Sequence, residues 1–211
     1  MTRVRVRQHV NPLSQKYRTA IAVPDWSQIY GNVFRPLHLD IGCARGKFLL
    51  QMAPLQPDWN FLGIEIRESL VIEANQQRDR LELNNLHFLF GNMNSTPLLF
   101  LNSLPATLSR VSIQFPDPWF KQRHSKRRVV QPELVTALGE VLSLQGQILL
   151  QSDVELVVKE MSDRFLENPR FQKTHIEPWL TLNPFPVSTE RENACLNLER
   201  PDYRVLVTKI R

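Results

Sequence analysis

The feature that most constrains the fold is an alternation that begins at Pro36. Short apolar runs, LHLDIG (37–42), NFLGIEI (60–66), LHFLFGN (86–92), RVSIQFP (110–116) and GQILLQSD (146–153), are separated by segments of helical spacing. The first such segment, 46–53, stops before Pro54, and the second, 68–85, sets Leu70, Ala74, Gln77 and Leu81 along one side. Two more span 132–144, with Pro132 in the first turn, and 154–168, ended by Asn168-Pro169. YRVLVTKIR (203–211) alternates and reads as the final strand. Strands that are apolar almost throughout are covered on both faces, so the expected class is α/β, a doubly wound, mostly parallel sheet. Residues 1–35, punctuated by Pro12, Pro24 and Gly31, are expected to form a basic N-terminal arm that packs on the body or on a partner, and 36–211 to form the domain.

In such a sheet ligands bind beyond the C-terminal strand ends. That rule gathers Asp40–Gly46, Glu65, Asn92, Asp117 and Asp153, and each place carries a polar residue or a glycine. In the turn Asp40-Ile41-Gly42-Cys43-Ala44-Arg45-Gly46, Gly42 permits a tight turn and Gly46 a close approach of backbone to ligand. Ala44 holds the middle glycine's place of a dinucleotide fingerprint. Glu65, 23 residues past Gly42, suits the hydroxyls of a ribose, and Asn92 the edge of an adenine. Nicotinamide cofactors and S-adenosylmethionine both fit this half-site. Beyond the fourth run, Pro116 and Pro118 stiffen a loop that holds Asp117 beside an aromatic residue, a combination that can grip and stack a nucleobase.

Charge points to the same partner. The 211 residues include 26 Lys/Arg and 21 Asp/Glu, a net of +5. Residues 1–18 hold five Lys/Arg and no acid, as do residues 121–128; without them 16 basic residues face 21 acidic ones. Cations concentrated on an acidic body mark a polyanion-binding surface. Two cysteines, Cys43 and Cys195, exclude a disulfide scaffold and a four-cysteine zinc site, and no metal is expected. No run reaches the ~18 apolar residues of a membrane helix. The first 18 residues do not read as a secretory signal, so a cytoplasmic location and no membrane partner are expected. His38 and His87 are expected to pack within their strands, and Trp26, Trp59 and Trp179 to serve the core or a lid.

FPDPWFKQRHSKRR (115–128) resembles the FxDPWxKxRHxKRR signature of the bacterial tRNA (guanine-N7)-methyltransferase family. LDIGCARGKF and GIEIR are similar to that family's first two cofactor motifs, and Ser188-Thr189-Glu190-Arg191-Glu192 to its T-x-x-E element. The match runs from about residue 36 to the C-terminus. It implies a Rossmann-like class I methyltransferase sheet with a C-terminal antiparallel strand. S-adenosylmethionine would be held by Asp40, Gly42, Glu65, Arg67, Asn92 and Asp117, with Asp117 the catalytic residue where cofactor meets base. Lys121, Asp153, Thr189, Glu190, Arg191 and Glu192 would contact the guanosine or its RNA. Arg123, His124, Lys126, Arg127 and Arg128 would meet the RNA backbone, helped by Arg3, Arg5, Arg7, Lys16 and Arg18. The implied substrate is the guanine at position 46 in the tRNA variable loop, and the implied assembly a monomer or homodimer. Asp40 stands where many members have Glu, Asn92 where many have Asp, and Arg191 where an aromatic residue is common. Methylation of an exocyclic amine and a non-catalytic RNA-binding role are the rival readings; a nicotinamide dehydrogenase is disfavoured by the incomplete glycine pattern.

Overall fold

A computed structural model describes residues 10–211. Seven strands form one sheet in the order β3-β2-β1-β4-β5-β7-β6. These are β1 (Leu37–Ile41), β2 (Asn60–Glu65), β3 (Leu86–Phe90), β4 (Leu108–Gln114), β5 (Gln147–Ser152), β6 (Phe171–Lys173) and β7 (Tyr203–Lys209). The first five pair in parallel; β7 runs antiparallel to β5 and to β6. Helices α1 (Lys47–Leu55), α2 (Glu68–Arg80), α3 (Pro97–Leu101), α4 (Pro132–Val141), α5 (Glu155–Leu166) and α6 (Glu190–Asn197) complete the domain. No helix among the described residues is long and apolar enough to cross a membrane.

Strand periodicity sorts side chains between two cores. Leu37, Leu39 and Ile41 of β1 join Leu62, Ile64, Val111 and Ile148 on one face. Phe61, Phe88 and Leu149 pack with Phe48 and Leu49 of α1 on the other. Each side chain so buried contributes about 1.5–3 kcal/mol of transfer free energy. The chain order reverses at β1, whose neighbours are β2 and β4, and this makes β1/β4 the switch point.

Several expectations need correction. Of the two places expected for the N-terminal arm, the body or a partner, its described part packs on the body. Ile21, Trp26 and Tyr30 belong to the β1 core, Trp26 donates to the Ser103 carbonyl (2.7 Å) and Tyr30 to the Phe61 carbonyl (3.0 Å). Arg3, Arg5 and Arg7 lie outside the described residues. Helix α1 continues through Pro54 and ends one residue later at Leu55, where the ring forfeits one backbone bond and crowds the carbonyl a turn earlier. Helix α2 ends at Arg80, and its buried stripe is Leu70, Val71 and Ala74; Leu81 is exposed. The N-terminal turn of α1 is fixed by Gly46, at φ +68°, where an added Cβ would come within 2.3 Å of the Phe88 ring. Gly46 therefore serves helix-to-sheet packing, and the close approach expected of it is to protein, not to a ligand.

Candidate functional site

The ends of β1, β2, β3 and β4 open on a cleft of about 150 Å³. Gly42, Glu65, Arg67, Asn92 and Asp117 all line it, so five of the six expected cofactor positions meet in one place. Gly42 has φ +86°, and a Cβ there would meet nothing within 4 Å, so the turn leaves open space at the cleft wall. Glu65 is buried and its carboxylate is well supplied with donors. Oε2 accepts from the Ala44 amide (2.9 Å) and Arg67 Nη2 (3.2 Å); Oε1 accepts from the Arg67 amide (2.9 Å) and Nε (2.8 Å). These contacts fill its acceptor sites, so a diol binds Glu65 only in exchange for Arg67. Burial alone would lower the Arg67 pKa, but the Glu65 carboxylate, with a smaller contribution from Asp117, raises it. Arg67 is thus paired with Glu65 and within electrostatic reach of Asp117.

The Asp117 loop is held at both ends by strained backbone. Phe115 (φ +49°) and Trp119 (φ +39°) adopt left-handed conformations that bulky residues avoid, and such outliers gather at functional sites. The strain is sustained by anchors. The Phe115 amide donates to the Gln151 carbonyl (2.7 Å), and the Trp119 carbonyl accepts from Arg128 Nη2 (3.1 Å) and Nε (3.3 Å). Arg128 also pairs with Glu160 of α5 (2.7 Å). Its guanidinium fastens the loop, a role beside the phosphate contact expected of it. Arg127 lies over the Trp119 ring (4.9 Å to the centroid) and lines the cleft, whereas Lys121, Arg123 and Lys126 are exposed. Partial burial and the nearby Arg127, Arg123 and Lys121 lower the His124 pKa. So many cations in one turn create the positive field an anionic ligand needs.

Asp40 is the expected position that does not line the cleft. It sits one layer beneath, paired in register with Ser112 of β4, whose hydroxyl donates to Oδ1 (2.6 Å). The same hydroxyl lies 3.0 Å from His38 Nε2, which closes a buried polar row across β1 and β4. Asn92 also needs revision. Its amide donates to the carbonyls of Pro12 and Tyr17 (both 3.2 Å), so the N-terminal segment covers this end of the cleft, with Val10 and Pro12 in its wall. An adenine edge would have to compete for that amide. Gln114 was not singled out by the sequence. It lines the cleft floor near Asp40, and neither amide atom has a hydrogen bond of normal geometry. Its contact with the Asp40 carboxyl leaves Oε1 for a polar ligand to satisfy.

The T-x-x-E element is built into the scaffold. Thr189 caps α6 through the Glu192 amide (3.1 Å), and Glu192 reaches back to the Thr189 amide (3.3 Å). The Glu192 carboxylate is almost wholly buried and also accepts from Arg204 (2.8 Å) and Asn183 (3.0 Å). Thr189 and Glu192 therefore carry a structural role in this element, whatever further contact they make with substrate. Arg191 pairs with Asp153 at the end of β5, and Glu190 with Lys47 of α1. Lys121, Asp153, Glu190 and Arg191 stay outside the cleft lining but keep solvent access.

The buried row carries a pH signature. Burial raises the Asp40 pKa to about 6 and lowers that of His38 to about 3. Folded Asp40 holds a proton between pH 3.8 and about 6 that the unfolded chain has lost, so its burial destabilises as pH rises through that window. Folded His38 refuses a proton that the unfolded chain takes below pH 6.5, so its burial destabilises as pH falls. The two slopes cancel between about pH 4 and 6. Asp40→Asn removes one of them. The variant is expected to be more stable than wild type at pH 8, by up to about 3 kcal/mol, and equal to it near pH 4. Urea unfolding at the two pH values measures this; a less stable variant at pH 8 would mean the carboxylate is a net stabiliser.

Residues 34–205 match a family model described as "Putative methyltransferase". A tRNA (guanine-N(7)-)-methyltransferase of Synechocystis sp. is 64% identical over 209 residues, 99% of each chain. One of Nostoc sp. is 59% identical over 204 residues, 96% of this chain and 93% of the relative. Among solved structures, an aminoglycoside resistance methyltransferase superposes with a TM-score of 0.59 at 16% identity, over 85% of this chain and 89% of that one. That likeness concerns the fold.

Proposed function

The chain belongs to the tRNA (guanine-N(7)-)-methyltransferase family, and from that premise we propose that it methylates N7 of a guanine in tRNA, the guanine at position 46 of the variable loop. The observation that carries the proposal is the meeting of Glu65, Arg67 and Asp117 in one cleft, with Arg127 in its wall and exposed cations following Trp119. As in the rest of this family, the methyl donor is S-adenosylmethionine, which supplies a methyl already activated on a sulfonium. The cleft fits it. Glu65 can accept from hydroxyls once Arg67 gives way, Gly42 leaves room at the wall, Gln114 offers polar amide atoms, and Asp117 and Glu65 favour positive charge.

Guanine N7 bears an in-plane lone pair and no proton, so no residue has to act as a general base. The chain's work is alignment and electrostatics. Asp117, fixed between two prolines and two strained residues, stabilises the positive charge that develops on the purine and accepts from its N–H groups. Arg67 and Glu65 define the cofactor side. Lys121, Arg123 and Lys126, with Lys16 and Arg18 of the N-terminal segment, hold the RNA backbone, and Asp153 and Arg191 flank the substrate entrance.

The direct test is incubation with labelled cofactor and unmodified tRNA, followed by nucleoside analysis and mapping of the modified position. 7-Methylguanosine at position 46 is the expected product. A methylated exocyclic amine, or no product at all, would select one of the rival readings. The cation assignment has its own check. Replacing Lys121, Arg123 and Lys126 together by Ala should flatten the plot of log affinity against log salt by a slope of about 2 to 3. An unchanged slope would place these side chains away from the RNA.

A further inference from the structure

We propose that Phe120 is a stacking platform for the nucleobase next to the methylated guanine, an inference that rests on the tRNA reading above. Two aromatic residues follow Pro118, and the structure separates their roles. Trp119 is half-buried, with Arg127 over one face (4.9 Å to the centroid) and His124 perpendicular to it (5.5 Å between centroids). Its backbone is locked by the two bonds from Arg128. Phe120 is 68% exposed, beside the exposed cations Lys121 and Arg123. A large apolar ring held out in water amid cations has one natural partner, a surface that is flat, apolar on its face and anionic at its edge. A nucleotide is such a surface.

Position favours a base adjacent to the reacting one. Phe120 is three residues from Asp117, a separation of at most about 10 Å along the chain. Taking a guanine out of its stack leaves its neighbour with an uncovered face, and the unstacking costs free energy. An aromatic side chain rooted on a rigid residue can cover that face and offset part of the cost, and it does so for any base, because every base has a π-face.

The test uses the full chain and unmodified tRNA transcripts. Phe120→Ala is expected to weaken tRNA binding about fivefold or more, with the salt slope and thermal unfolding unchanged, since stacking releases no counterions. Phe120→Trp and Phe120→Tyr should restore binding, and Phe120→Leu should not. In transcripts made abasic on the 5′ or the 3′ side of the target guanine, one of the two should abolish the difference between wild type and Phe120→Ala. The proposal is overturned if Phe120→Ala binds within twofold of wild type, if Leu substitutes fully for Phe, or if neither abasic transcript changes the effect. The functional reading fails separately, if the wild-type chain forms no 7-methylguanosine in tRNA.

Discussion

Asp117→Asn is expected to lower the rate of 7-methylguanosine formation by about a hundredfold to a thousandfold, with tRNA and cofactor affinities nearly unchanged. The substitution keeps the shape of the side chain, turns one of its two acceptor oxygens into a donor amide and removes its charge. Methyl transfer moves positive charge from the sulfonium onto a neutral purine, so a carboxylate fixed on the purine side of the cleft stabilises the transition state more than the bound ground state. The loop is built to keep that carboxylate still. Prolines flank it, Phe115 and Trp119 hold left-handed conformations on either side, and Arg128 ties the far end to Glu160. Single-turnover rates read against cofactor and tRNA titrations separate the two roles open to Asp117. A rate loss with binding intact identifies charge stabilisation. Loss of tRNA binding with the bound-state rate preserved would identify Asp117 as a grip on the guanine's N–H groups.

The place of the site was legible because it follows from topology. Apolar runs announce parallel strands, parallel strands put ligands at their C-terminal ends, and Gly42, Glu65, Asn92 and Asp117 stand at those ends and in one cleft. What individual side chains do there was less legible, since spacing does not report which partner wins. Asp40 ends an apolar run as the motif requires, but its register places it against Ser112, under the cleft. Asn92 faces the cleft, but carbonyls some 75 to 80 residues earlier in the chain claim its amide. Gly46 looks like a ligand glycine until Phe88, 42 residues later, is placed against it. Helix α6 and strand β6 escaped because one is polar and the other only three residues long. Their signals were faint, though Thr189 and Glu192 do have capping-box spacing. The sequence offered an aromatic beside Asp117 for stacking but not which of Trp119 and Phe120 is exposed, and it gave no signal for Gln114. The interest of Phe120 and Gln114 lies in exposure and in an unmet hydrogen bond, neither of which a sequence displays.

The T-x-x-E element decides between scaffold and substrate by the size of one number. Glu192→Ala should destabilise the fold by about 3–5 kcal/mol, because it takes a buried anion from a buried cation. Arg204 and Glu192 are 8% and 2% exposed, and the same carboxylate also closes the capping box of α6 and accepts from Asn183. Asp202 keeps one contact to Arg204 and Gln151 holds Asp202, so the network loses a member without dissolving, and a folded variant can be purified and measured. At about 2–4 °C per kcal/mol for a domain of this size, the melting temperature should fall by roughly 10 °C. Glu190→Ala, two residues away, is the control. Its partner Lys47 and Glu190 itself are about half exposed, and a pair in that setting contributes no more than about 1 kcal/mol. If Glu192→Ala instead melted with wild type and lost only tRNA binding, the buried pair would be a poor account of this residue. The substrate contact implied by the family motif would then be the better one.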